Sequence, residues 1–476
     1  MKRNVLRPII VLMFFVFVVG ACQKDDSTVP TSASEVSPEV VLVTAATYTP
    51  AEMTSAIVQS DYVESYIGDN AMGQTLVNGL LDVVAGANRY YLDTVFAHRS
   101  STPLRQYRRD WQLKTCTFTY RSVSSTGQPV RLSGRVTFPI ALDGNGNTVA
   151  SLSLYAHHYI NKTVVPSLSL SPLELRALFN SAVVEPDFQG YGESSDMPFC
   201  GFSYGVQAQQ LYDCTLAALE IMQRYGVTPA HNAYTTCWGA SIAAPVVAAF
   251  VRLHDEQFTP DQQQQLNLHS AYIGGGPMIL DQMLYYIATH RDYSAHCLQY
   301  SYPFFLSLPK EALEPYDLSD LVAEWTHDYI IEKDGTSCSF FYALKNDFTY
   351  GGLWPEDRPS DTLRNILSSD MFGASGSMNF SHPKSVVLMA CLHNLSDWGS
   401  WMPSVDIYMQ HATNDNKVPY DQGKYFYTLK APSGKMHWKD ASTGLLGLAM
   451  DAHRAFTLSA SINMVRFNLP CQAFIH

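Results

Sequence analysis

The eleven residues Tyr234-Thr235-Thr236-Cys237-Trp238-Gly239-Ala240-Ser241-Ile242-Ala243-Ala244 decide how the 476-residue chain is read. A run rich in β-branched and aromatic side chains leads into Gly239-x-Ser241-x-Ala243, and a nearly all-apolar segment from Ala244 to Val251 follows. Strand, sharp turn and buried helix in that order describe a nucleophile elbow, a strained turn that lifts one serine hydroxyl above a sheet. The turn brings neighbouring backbone close, so the positions two before and two after the serine must be small. Gly239 meets that demand fully; Ala243 stands where the pattern has its second glycine.

Strands and helices alternate outward from the elbow. Leu113 to Val123 and Pro129 to Pro139 read as a hairpin around Ser125-Thr126-Gly127. Val149 to Ala156 and Ala182 to Glu185 read as strands, with a helical stretch from Leu173 to Asn180 between them. The loop Pro186-Asp187-Phe188-Gln189-Gly190-Tyr191-Gly192 precedes a helix from about Gln207 to Tyr225. Beyond the elbow, His269 to Ile273 is a strand closed by Gly274-Gly275-Gly276-Pro277. Such alternation predicts an α/β fold with a mostly parallel sheet covered by helices on both faces. The rhythm breaks between Met278 and about Pro383, which reads as a mainly helical cap insertion. It returns with strands at Val405 to Gln410 and Lys435 to Lys439, and a last helix from about Asp451 to Phe467. Ala51 to about His98 reads as mostly helical, from the spacing of Val77, Leu80, Leu81 and Val84.

A serine hydroxyl needs a base within reach and a third group to orient that base. In enzymes built around such an elbow the partners follow in the order serine, acid, histidine. Asp415 is the acid candidate, directly after the strand Val405 to Gln410 and ahead of Val418-Pro419. Two histidines compete for the base. His437 lies inside the segment that reads as the last strand, whereas His453 lies beyond it on a loop. A base on a loop can swing towards Ser241, and that placement favours His453. The oxyanion of an acyl-transfer reaction needs preorganised N–H donors. The backbone of Ile242 is one candidate, and Tyr159 or His158, in the loop after Ala156, supplies the other.

At the N-terminus Lys2, Arg3 and Arg7 precede an apolar run from Ile9 to Val19, which has the form of a secretory signal and is too short to span a membrane comfortably. Ser27 to Pro38 is rich in Ser, Thr, Pro and Val and reads as a flexible tether. The net charge of −12 and the lack of a basic stripe argue against a nucleic-acid partner. Hydrophobic residues make up 46% of the chain and charged residues 16%, a balance that predicts compact folding beyond the tether. Cysteine and histidine spacing gives no metal motif, so no structural zinc site is expected. Eight cysteines follow Cys22, and their spacing does not show which of them pair.

Several motifs carry a family resemblance. Val19-Gly20-Ala21-Cys22 resembles a bacterial lipobox, with Cys22 as the lipidated first residue of the mature chain, and Gln23-Lys24-Asp25-Asp26 resembles the acidic tag of surface-exposed lipoproteins. His411-Ala412-Thr413-Asn414-Asp415, with Val418-Pro419 behind it, resembles the H-G-x-x-D-x-x-V-P loop that carries the acid in α/β-hydrolases. With the Ser241 elbow, the Pro186 to Gly192 loop and His453, it makes the chain from roughly Tyr120 onward resemble an α/β-hydrolase of the secreted bacterial lipase/esterase type, related to secretory lipases and peptidase-like hydrolases. Ala243 and Ala244, Ala412 and His158 depart from that pattern, each standing for a glycine.

The resemblance implies a cofactor-free serine hydrolase, a carboxylic ester hydrolase acting through an acyl-enzyme on a small-molecule ester or amide. It implies export and a lipid anchor in the outer membrane. The expected organisation is a signal peptide over 1–22, a tether over 23–45, hydrolase core over 46–277, a helical cap over 278–383, and the rest of the core over 384–476. Two other readings stay open. One is an aminopeptidase-like amide hydrolase whose cap acids, Glu311, Glu314 and Asp317, receive an amino terminus. The other is a surface lipoprotein that binds a ligand without catalysis.

Overall fold

A computed structural model describes residues 39–67, 111–141, 147–157, 164–197, 199–290, 313–324, 367–415 and 417–441. In chain order the elements are β1 (Val41–Tyr48), α1 (Pro50–Val58), α2 (Asp61–Ile67), β2 (Trp111–Val123), β3 (Pro129–Ala141), β4 (Asn147–Ala156), a 3₁₀ helix (Pro172–Phe179) and β5 (Ser181–Pro186). They continue with α3 (Tyr204–Arg224), β6 (Val227–Ala240), α4 (Ala243–Glu256), α5 (Pro260–Leu266), β7 (Leu268–Gly274), α6 (Leu280–Thr289) and α7 (Leu318–Leu321). The last are α8 (Pro383–Leu395), β8 (Asp406–Ala412), α9 (Tyr420–Lys430) and β9 (Met436–Ala441).

Nine strands of the described residues form one sheet in the order β1-β2-β3-β5-β4-β6-β7-β8-β9. β1, β2, β3 and β5 pair antiparallel, and from β5 through β4 to β9 every pairing is parallel. From β4 the chain crosses to β5 on one side and then back to β6 on the other. The loops after β4 and β6 therefore leave neighbouring strands at the point where the winding reverses, which is where open α/β sheets place their ligands.

The two faces of the sheet differ in chemistry. A Cβ on Gly134 would strike Cys214 of α3 at 2.7 Å, and one on Gly239 would strike Val247 of α4 at 2.8 Å, so the face with Gly134 and Gly239 is the one that α3 and α4 cover. Phe118, Val136, Val184, Leu154, Cys237, Ile273 and Met409 make that face apolar and fully buried. Cys116, Cys214, Cys237 and Cys391 are buried free thiols. Burial pushes Cys116 up to about 11 and Cys391 up to about 12, which keeps both protonated and inert at neutral pH.

The opposite face carries Arg135, Glu185, Ser153 and Trp238, beneath the 3₁₀ helix. Arg135 Nη1 donates to Glu174 Oε1 at 2.7 Å and to the Ser169 carbonyl at 2.7 Å. Ser171 Oγ has one hydrogen yet stands 2.9 Å from Glu174 Oε2 and 3.0 Å from Glu185 Oε1. Both contacts are hydrogen bonds only if one carboxyl holds a proton and donates it. Burial first, and the nearby Glu174 second, raise Glu185 well above the carboxylate range, so the proton sits there. Next to this cluster runs a stack in register across four parallel strands. Trp238 and Tyr272 rings lie 4.0 Å apart, Tyr272 and Tyr408 5.1 Å, and Tyr408 and His437 4.5 Å. The Arg176 guanidinium lies 4.6 Å over the Trp238 ring and closes the far end. Side chains facing each other across a sheet are the unit of its stabilisation, and this row fixes the register of the strands that carry the site.

Val41–Ala45, read above as the end of the tether, belong to β1 instead. Val41-Leu42-Val43-Thr44 is the β-branched composition that suits a strand, and β2 supplies the hydrogen-bonding edge. The helical stretch expected from Ala51 to His98 begins with α1 and α2 and then passes outside the described residues. So do the expected signal peptide, most of the expected cap insertion and the expected last helix.

Candidate active site

The register of the parallel strands sets up the site. Ala240, the last residue of β6, pairs with Gly274, the last of β7, and Gly274 pairs with Gln410 near the end of β8. Ser241 is the next residue after that row. Its φ is +55°, a left-handed conformation that few residues other than glycine adopt. The Ser241 amide donates to the Gly274 carbonyl at 2.7 Å, and the Gly275 amide donates to the Gln410 carbonyl at 3.1 Å, so β7 and β8 hold the turn from one side. The Ala244 amide donates to the Ser241 carbonyl at 2.9 Å and starts α4. Strand, strained serine and helix stand as the sequence predicts, with the hydroxyl-bearing residue part-exposed at the carboxyl edge of the sheet.

Asp415 lies on the turn that leaves β8 at the same edge. Its amide donates to the Ala412 carbonyl at 3.1 Å. Its Oδ1 accepts the amides of Lys417 and Val418 at 2.9 and 3.0 Å. These bonds fix the carboxylate's plane, and its side chain is fully buried. The chain leaves β9 at Ala441, which pairs with Ala412. His453, twelve residues further on, lies outside the described residues.

His437, the other histidine considered for the base, sits near the start of β9. Its Nε2 lies 2.9 Å from Asp406 Oδ1, at the first residue of β8, and its ring ends the aromatic stack. Its row runs through Tyr408, Tyr272 and Trp238, three residues before Ser241 along β6, and the contact with Asp406 holds the ring in that row.

The expected oxyanion donors belong to two elements. Ile242 is the N-cap of α4 and already has helical dihedrals (φ −56°, ψ −23°), so its N–H belongs to the first turn, where amides have no acceptor within the helix. Ala156, the end of β4, pairs with Gly239, which places the loop after β4 beside the elbow. His158 and Tyr159 lie outside the described residues, but His157 shows how the loop starts. Its buried ring packs 5.1 Å from Phe188 and 4.9 Å from Tyr191. Both belong to the Pro186 to Gly192 loop, which thus packs against the residue that follows β4. Asp187 Oδ2 accepts Ser133 Oγ at 2.6 Å and its Oδ1 accepts the Ser167 amide at 3.1 Å. Gly192, at φ +50°, leaves room for that contact, since a Cβ there would collide with Ser133 and Asp187.

No family model and no curated protein matches the chain. Solved structures do. The rice cell wall degrading esterase LipA from Xanthomonas oryzae is similar with a TM-score of 0.60 at 16% identity, over 90% of this chain and 97% of that one. A candidate hydrolase from Legionella pneumophila is similar with a TM-score of 0.60 at 15% identity, over 89% of this chain and 97% of that one. The protein has the α/β-hydrolase fold. Identities this low establish shared architecture and leave substrate open.

Within the α/β-hydrolase frame Ala244 at the elbow has a local explanation. A Cβ on Gly276 would lie 2.5 Å from the Ala244 Cβ and 3.0 Å from the Ser241 carbonyl. The glycine missing from the elbow is thus supplied across the turn by the loop after β7. Gly239 faces the Ala243 carbonyl, where a Cβ would stand 2.6 Å away. The departure at Ala244 is thus absorbed by Gly276, and the strained serine is kept.

Proposed function

We propose that the protein is a serine hydrolase acting on carboxylic esters. The observation that carries this reading is the positive φ of Ser241 between a parallel strand and a helix, because backbone strain at a lone serine is retained where the surroundings enforce it for function. Ser241 Oγ attacks the ester carbonyl carbon and passes its proton to His453, while the Asp415 carboxylate orients and stabilises the imidazolium. The oxyanion is held by the Ile242 N–H and a second donor from His158 or Tyr159. Collapse breaks the acyl–oxygen bond, and the alcohol leaves with the proton from His453. Water, deprotonated by the same histidine, then attacks the acyl-enzyme, releasing the acid and restoring the serine hydroxyl. The esterase LipA among the similar structures supports an ester over an amide substrate.

The expected result with short-chain p-nitrophenyl esters and aminoacyl p-nitroanilides is kcat/KM at least about 100-fold higher on the esters, a difference of about 2.7 kcal/mol in barrier. A preference for the anilides would replace this reading with the aminopeptidase-like one. Export with Cys22 as a lipid-bearing first residue is proposed alongside it. Cys22→Ala should then move the protein from the membrane fraction to the soluble fraction, and unchanged partitioning would refute the anchor.

A further inference from the structure

His411, the last residue but one of β8, has no part in the reaction above and is buried against its acid. Its side chain and that of Asp415 are 1% and 0% exposed, with Nε2 of the ring 3.3 Å from Asp415 Oδ2. The same Nε2 stands 3.0 Å from the Val418 carbonyl. Both neighbours are acceptors, so Nε2 carries the hydrogen. It bonds the carbonyl at the far end of the Asp415 turn while facing the carboxylate in its middle. The ring cannot back away. On its other side Gly423 of α9 is so close that a Cβ there would stand 2.8 Å from Nδ1 and 3.1 Å from the Trp438 ring, and Tyr420 packs edge-on with ring centres 5.9 Å apart.

We infer that His411 is a positioning residue for the acid: an imidazole wedged by α9 against the turn, its Nε2–H fixing which way Asp415 Oδ2 faces. The inference rests on the serine-hydrolase reading. The Asp415 Oδ1 atom is already set by the Lys417 and Val418 amides, and these act along one edge of the carboxylate only. The imidazole supplies a hydrogen-bearing group beside the second oxygen, and it ties the loop's return at Val418 to the strand that carries the acid. A base that must meet Oδ2 at hydrogen-bond distance is sensitive to that orientation, since small misplacements cost a large factor in rate.

The test measures kcat on a short-chain ester, normalised to the number of sites titrated by a fluorophosphonate probe. That normalisation removes any loss caused by misfolded protein. His411→Leu should lower kcat per titrated site by about 10–100-fold with KM within about threefold. His411→Gln, whose amide can place an N–H near the same point, should recover most of it. If His411→Leu does not fold, Gly423→Ala carries the test, because its Cβ presses on the ring while the imidazole remains; the same fall per titrated site is expected. Unchanged turnover per site in whichever of these two variants folds overturns the inference while leaving the triad intact. Wild-type protein that neither labels nor turns over ester would instead refute the hydrolase reading itself.

Discussion

Ser241→Ala should lose about 10⁶-fold in kcat on a p-nitrophenyl ester, with residual turnover from the oxyanion donors and binding alone. The fold should survive. Alanine keeps a Cβ at the position whose φ is +55°, so the backbone strain is neither added nor relieved, and Tm should stay within about 2 °C of the parent. Ser241→Gly should be equally inactive yet melt higher than the alanine variant, because glycine adopts a left-handed conformation without steric cost. Differential scanning calorimetry with steady-state kinetics separates the two effects. Appreciable activity in either variant would remove Ser241 from the mechanism.

Asp415→Asn should lower kcat by about 10³–10⁴-fold with little change in KM. Asparagine keeps an oxygen to accept the Lys417 and Val418 amides, which lie 2.9 and 3.0 Å from Oδ1, so the turn should hold its shape. The amide nitrogen then occupies the place of Oδ2. There it meets the His411 N–H, a donor facing a donor, and offers His453 a hydrogen where the base needs an acceptor. The base would be held in the wrong tautomer. A loss smaller than tenfold, with the variant folded by calorimetry, would show that another carboxylate serves the base.

How much of this is readable in the chain follows from how local each signal is. The elbow is visible because strand, glycine, serine and apolar helix are contiguous, and β6 and α4 reproduce them. The Asp415 turn is visible for the same reason, since the strand and the Val418-Pro419 stop flank it. What escapes is set by pairing across distance. β1 looks like tether because nothing near Val41 announces that β2, far along the chain, will supply its partner. The polar face of the sheet is hidden because Arg135, Ser171, Glu174 and Glu185 meet only after β3, β5 and the 3₁₀ helix pack together. Ala244 looks like a defect until Gly276 is seen against it. His411 lies within a stretch quoted for its resemblance to an acid-bearing loop, yet its contact with Asp415 exists only because the chain turns back at Val418. The signal that could have found it is its spacing of four residues before the acid, at the end of a buried strand.

The most direct measurement is reaction of the full chain with a fluorophosphonate probe, followed by proteolysis and mass spectrometry of the modified peptide. One equivalent of label should sit on Ser241, and Ser241→Ala should take up none. Stoichiometric label on a different serine, or no label on folded wild-type protein, would contradict the account.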